Sequence, residues 1–101
     1  MAIQMRRYEI VPELLEHFIE WWAAIPAGRA VYGMTVIAAY VDRAGHEFTW
    51  IVECDGDTEA FAAAEAAWMN SAERADLFAG QPKHTIQIHV SMVDKIWAPE
   101  L

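Results

Sequence analysis

The chain has little positive charge. Its 101 residues carry 7 Lys+Arg against 15 Asp+Glu, a formal net charge of −8. Nucleic-acid binding runs on Lys/Arg replacing phosphate counterions, so this balance argues against it. It argues equally against docking on an anionic membrane surface. Cysteine is nearly absent: Cys54 stands alone. No intrachain disulfide can form, and a reducing, cytoplasmic setting is the simpler expectation. No run of about 18 uncharged apolar residues exists to span a bilayer, and the first residues lack a signal peptide's basic and apolar regions. The five glycines are scattered turn residues rather than a phosphate-cradling loop. There is no G-x-S-x-G elbow, H-x-x-x-H or C-x-x-C, so neither a metal nor a bound cofactor is expected.

What is present is an apolar fraction of 55%, with five Trp. That is a globular composition, and the length is that of a single domain, 1–101. Residues 2–10 read as a strand, with Ile3 and Met5 on one side and Gln4, Arg6 and Tyr8 on the other. Pro12 suits a first helical turn. From Glu13 the period becomes helical: Leu14, Phe18, Trp21, Trp22 and Ile25 share a face, opposite Glu13, Glu16 and Glu20. Pro26 and Gly28 are expected to end or kink this helix. Residues 33–41 and 46–54, joined by Asp42-Arg43-Ala44-Gly45, read as a β-hairpin. Asp57 is a candidate N-cap for a helix over 58–69, and Ser71 for a short helix ending near Gly80. Residues 84–93 form a last strand, with Ile86, Ile88, Val90 and Met92 alternating with Thr85, Gln87, His89 and Ser91.

The order β-α-β-β-α-β predicts an α+β, ferredoxin-like fold: a four-stranded antiparallel sheet with helices on one face. Two helices cover one sheet face only. Val36, Ile37, Val41, Trp50, Ile51 and Val52 nevertheless put apolar groups on both. A bare apolar sheet is avoided by soluble monomers, so a homodimer packing sheet against sheet is expected.

Several stretches resemble the NIPSNAP family of the dimeric α/β-barrel superfamily, over roughly residues 3–97. They are Arg6-Arg7-Tyr8-Glu9-Ile10-Val11-Pro12, Tyr32-Gly33, Asp42-Arg43 with Glu47-Phe48-Thr49-Trp50, Glu65-Ala66-Ala67-Trp68, and Ser71-Ala72-Glu73-Arg74. Ala72 stands where that pattern suggests proline. The resemblance implies a ferredoxin-like protomer and a dimer whose two sheets form a barrel. It implies little about activity. Related members of the superfamily include cofactor-independent monooxygenases of aromatic polyketides, haem-dependent chlorite dismutases and small degradative enzymes. No set of residues here matches their catalytic groups one by one, and fold analogy does not assign a reaction.

The candidate site residues are therefore argued from chemistry. Trp21, Tyr32, Trp50 and Trp68 could wall an apolar cleft for a flat aromatic or acyl ligand, or could simply be core. Glu65 falls near Phe61 and Trp68 on the helical wheel. A carboxylate there could act as general acid or base, or could cap a neighbouring group. His17 borders the apolar face one turn before Trp21, and His89 stands in the polar row of the last strand; each could transfer protons or be a satisfied structural histidine. His46 and His84, at strand starts, are expected to be exposed. Of Arg6 and Arg7, one faces a covered side of the first strand: Arg7 is the candidate, which could anchor a carboxylate or enolate, or could pair with Glu9, Glu47 or Glu53. Two functions follow. One is a homodimeric protein binding a small apolar or aromatic molecule between helices and sheet. The other is a monooxygenase-like or degradative enzyme of the same superfamily, with Glu65 or His17 as acid/base.

Overall fold

The computed structural model describes residues 1–99. Strand β1 (Ala2–Ile10) leads through a single 3-10 turn (Pro12–Leu14) into helices α1 (Leu15–Trp22) and α2 (Ile25–Ala30). The hairpin β2 (Met34–Asp42) and β3 (Glu47–Cys54) follows, then α3 (Thr58–Met69), α4 (Ala72–Phe78) and β4 (Thr85–Val93). The sheet order is β2-β3-β1-β4, and each neighbouring pair is antiparallel. This is the ferredoxin-like arrangement expected from the element order.

The strand faces follow the alternation. Ala2, Gln4, Tyr8 and Ile10 of β1, and Phe48, Trp50, Val52 and Cys54 of β3, are buried beneath the helices. Ile3, Met5, Arg7 and Glu9 take the opposite face, since residues paired across a ladder point the same way. Both predicted caps are made: Asp57 Oδ1 accepts from the Ala60 N–H at 2.9 Å, and Ser71 Oγ from the Arg74 N–H at 3.1 Å. Each satisfies one otherwise orphaned donor of its helix's first turn.

Three features depart from the sequence expectation. First, Pro26 opens a helix rather than ending one. The chain turns at Ala23–Ala24 and α2 begins with Pro26 in its first turn, where a missing N–H costs nothing. The 3-10 turn also shifts the phase of the apolar stripe, so that Leu15 is buried and Leu14 only partly. Second, His84 is buried, at 6% exposure, and His46 is half-buried. His84 packs edge-on to Phe18 and stacks on Trp21, whose rings reach past the start of the strand. Third, the register of β4 against β1 shifts between Glu9 and Ile10. Ile86 is the extra residue, and the bulge turns Thr85 to the helix side while Gln87, His89 and Ser91 stay on the open side.

The open face is a mixture. It carries Ile3, Met5, Tyr40 and Ile51 among Arg7, Glu9, Glu47, Glu53 and His89. Of the apolar groups expected on both faces, Trp50 and Val52 belong to the core beneath the helices, and Val36 and Val41 are half-buried against it. On the helix side no comparable cover reaches β4, where Ile88, Val90 and Met92 stay 49%, 46% and 41% exposed.

Gly28 shows how tightly α2 approaches α3. A Cβ built there would lie 2.7 Å from two ring carbons of Trp68, a side chain only 1% exposed. Ala favours helix over Gly by about 1 kcal/mol, yet overpacking a tight contact costs about 1–3 kcal/mol. Gly28→Ala is therefore expected to lower the urea unfolding free energy by up to about 2 kcal/mol, whereas a raised midpoint would mean that this contact is loose.

Candidate functional site

A cleft of about 450 Å³ opens between the helices and the sheet. That volume is within the range of small-molecule sites, roughly 300–1,000 Å³. Its walls are mostly apolar: Phe18, Trp21, Trp22 and Ile25 from α1 and α2, Trp50 from β3, Trp68 and Met69 from α3, Phe78 from α4 and Ile88 from β4. Tyr8, Gln81, His84 and Thr85 are its uncharged polar lining, and the charged lining is wholly basic. Arg6, Arg29, Arg74 and Lys83 take part, four of the chain's seven Lys+Arg, and no Asp or Glu does.

At the inner end, Arg29 is 3% exposed. Its guanidinium donates to both oxygens of Glu65, at 2.6 and 3.1 Å, and lies 4.9 Å from the Trp50 ring centroid and 5.8 Å from that of Trp68. A buried cation thus has a bidentate partner and two aromatic faces. Arg6 stands 3.7 Å from the same carboxylate. It donates through Nε to the Tyr8 hydroxyl and through Nη1 to Gln4 Oε1, both at 2.8 Å, and lies 5.3 Å from the Trp50 centroid. One carboxylate therefore serves two guanidinium groups, and the group keeps a net positive charge.

At the mouth, rings are stacked in a column. The Arg74 guanidinium lies 4.0 Å from the Phe78 centroid. Phe78 meets Trp21 edge-on at 4.8 Å, Trp21 stacks on His84 at 5.0 Å, and His84 on His17 at 5.2 Å. Trp21 is fixed by its indole N–H donating to the Leu77 carbonyl at 2.7 Å. Burial holds the His84 pKa below the ordinary histidine value, and the adjacent His17 adds to the effect. Among the described residues, the buried side-chain nitrogens lacking a hydrogen-bond partner are Trp22 Nε1, Trp50 Nε1, Arg29 Nε and His84 Nε2. All four belong to residues that line the cleft.

The structure brings together only part of the set singled out in the sequence. Trp21, Trp50 and Trp68 line the cleft. Glu65 adjoins it, but its two oxygens are taken up by the Arg29 guanidinium. His17 is exposed outside the cleft, hydrogen-bonded at 2.9 Å to Gln81 Oε1. Tyr32 is turned away; its hydroxyl donates to Glu73 at 2.8 Å, which raises the phenol's pKa, while the Glu73 carboxylate's is lowered first by its own backbone N–H and then by this hydroxyl. Arg7 and His89 are ladder partners on the open face of the sheet, far from the cleft lining. Arg6, its neighbour in sequence, occupies the lining position instead, because alternate residues of β1 face the helices. Arg29, Arg74, Lys83 and His84 were not singled out. The one signal that could have found them is the scarcity of cations, which gives each placement weight. Among the described residues, no group of three His, Cys, Asp or Glu is gathered as a metal ion would need.

The fold can be compared with solved structures. A NIPSNAP family protein of unknown function from Agrobacterium tumefaciens superposes with a TM-score of 0.82 at 9% identity, covering 100% of this chain and 94% of that one. An uncharacterised NIPSNAP-like domain protein from Burkholderia xenovorans gives 0.77 at 17% identity, covering 98% and 96%. The architecture is that of NIPSNAP domain proteins. A structure described as an antibiotic biosynthesis monooxygenase shares the fold more distantly, with a TM-score of 0.67 at 17% identity over 95% of this chain and 99% of that one. By sequence, no protein-family profile and no curated protein matches the chain. A NIPSNAP-type architecture at this level of identity leaves the chemistry to be argued from the cleft itself.

The His84 environment has a pH consequence. Its folded pKa lies below the unfolded value of about 6.5, so the native state binds fewer protons in that window. Stability is lost as pH falls through about 6.5 toward the folded value. Between about pH 7.5 and about pH 5.5 the melting temperature of His84→Gln should fall less than that of the parent chain; equal losses would show that His84 titrates as it does in the unfolded chain.

Proposed function

We propose that the chain is a homodimeric protein that binds a small apolar or aromatic molecule in the cleft between its helices and sheet. The observation that carries this reading is the lining: aromatic walls around four buried, unpartnered polar atoms. Native interiors leave few such atoms, and a cluster of them in one place calls for a ligand or ordered water. Trp21, Trp50 and Trp68 are the proposed wall. Glu65 has the role of holding Arg29 rather than of handling protons.

The dimer rests on two apolar surfaces. Ile3, Met5, Tyr40 and Ile51 interrupt the polar open face, and Ile88, Val90 and Met92 remain bare along the β4 edge. β4 also presents an unpaired backbone edge, which proteins commonly cover or pair. Arg7 and His89, adjacent on the open face, would then meet the second copy rather than a ligand. A cytoplasmic setting suits the single buried thiol of Cys54.

A second reading has a specific observation behind it. His84 lines the cleft with its imidazole held toward the neutral form and Nε2 unpartnered. A neutral imidazole protonated at Nδ1 offers a base at Nε2. The chain would then be a cofactor-independent, monooxygenase-like or degradative enzyme acting on the bound molecule, with His84 in place of Glu65 or His17.

Native mass spectrometry of protein purified without added ligand tests the main reading. The expected result is a dimer carrying an extra small-molecule mass that is lost on denaturation. A monomer at micromolar concentration would contradict the dimer, and persistent failure of apolar or aromatic molecules to bind would contradict the cleft.

A further inference from the structure

We infer that the cleft selects an organic anion: an apolar, flat or extended body bearing one carboxylate or enolate head. This rests on the reading of the cleft as a small-molecule site and adds the charge and head group of the occupant.

The charge distribution is the first argument. On a chain of net charge −8, a single cleft gathers Arg6, Arg29, Arg74 and Lys83 and excludes every carboxylate from its lining. Among the described residues neither Arg74 nor Lys83 has an ion-pair partner, and Glu65 is shared between Arg6 and Arg29. The cleft thus has excess positive charge beside apolar aromatic walls. An anion removes that excess, whereas a cation would add to it.

The unpartnered hydrogen-bonding groups point to the same occupant independently of charge. Of the four unpartnered buried nitrogens, Trp22 Nε1, Trp50 Nε1 and Arg29 Nε can only donate. Three buried donors without an acceptor suit a ligand rich in acceptors, as a carboxylate or enolate is. Arg6 points the same way: Nε and Nη1 are engaged by Tyr8 and Gln4, and no protein partner is found for Nη2 among the described residues. The apolar walls argue against inorganic anions, which would leave Trp21, Trp68 and Ile88 facing a hydrated ion.

The experiment is calorimetric titration of the whole protein with three probes of one shape: 2-naphthoate, 2-naphthylmethanol and 2-naphthylmethylammonium. The naphthoate is expected to bind about tenfold or more tightly than the alcohol, with the ammonium weakest. Added salt should narrow the gap between anion and alcohol, and so should Lys83→Gln and Arg74→Gln, both at positions outside the buried core. Equal binding of naphthoate and alcohol would overturn the inference while leaving the cleft reading intact. Tightest binding of the ammonium would also overturn it, by making the aromatic walls a cation site. Binding of none of the three would overturn both.

Discussion

The buried guanidinium of Arg29 is the group on which the cleft depends. Removing a cation from water costs several kcal/mol unless its partners replace hydration. Here Glu65 supplies two hydrogen bonds, and Trp50 and Trp68 supply aromatic faces. These contacts tie α2, α3 and β3 together at one point. They also explain the sequence around it. Pro26 starts a short second helix that carries Arg29 inward, and Gly28 lets the Trp68 ring approach that helix closely. Without the pair, the inner end of the cleft would have an uncompensated charge and no fixed wall.

The same pair sets the character of the cavity. Glu65 answers one positive charge and leaves a second, on Arg6, facing an aromatic interior. Arg74 and Lys83 extend that sign to the mouth. An acidic protein thus encloses a basic, largely apolar site, so that its overall charge and its site charge are opposite. Overall charge governs solubility and long-range encounter; the site charge governs which molecule stays. Likeness to NIPSNAP domain proteins and to an antibiotic biosynthesis monooxygenase is a likeness of fold alone, and the lining decides what enters the cleft.

Much of the architecture was legible in the sequence because it is local. Period-2 alternation separated the two faces of β1 and β3, and side-chain oxygens at Asp57 and Ser71 marked two helix starts. The three wall tryptophans were legible as large apolar groups on core stripes. The polar part of the site was not. Alternation separates Arg6 from Arg7 but does not say which one the helices cover; that is decided by tertiary packing. Arg29 lay in a stretch that read as a helix end, because Pro26 serves equally to stop one helix and to start another. His84 read as a strand-start residue, and only the approach of Phe18 and Trp21 from α1 buries it. Thr85 joined the wrong row because a bulge changes the phase of β4 by one residue.

If the Arg29–Glu65 pair organises the cleft, the two side chains must be energetically coupled. A double-mutant cycle of Arg29→Met and Glu65→Gln, measured by urea denaturation, reads that coupling directly. The account predicts a coupling energy of about 2 kcal/mol or more, with each single variant leaving an unmatched polar group and the double variant recovering part of the loss. Single-variant losses that add within about 0.5 kcal/mol would contradict it.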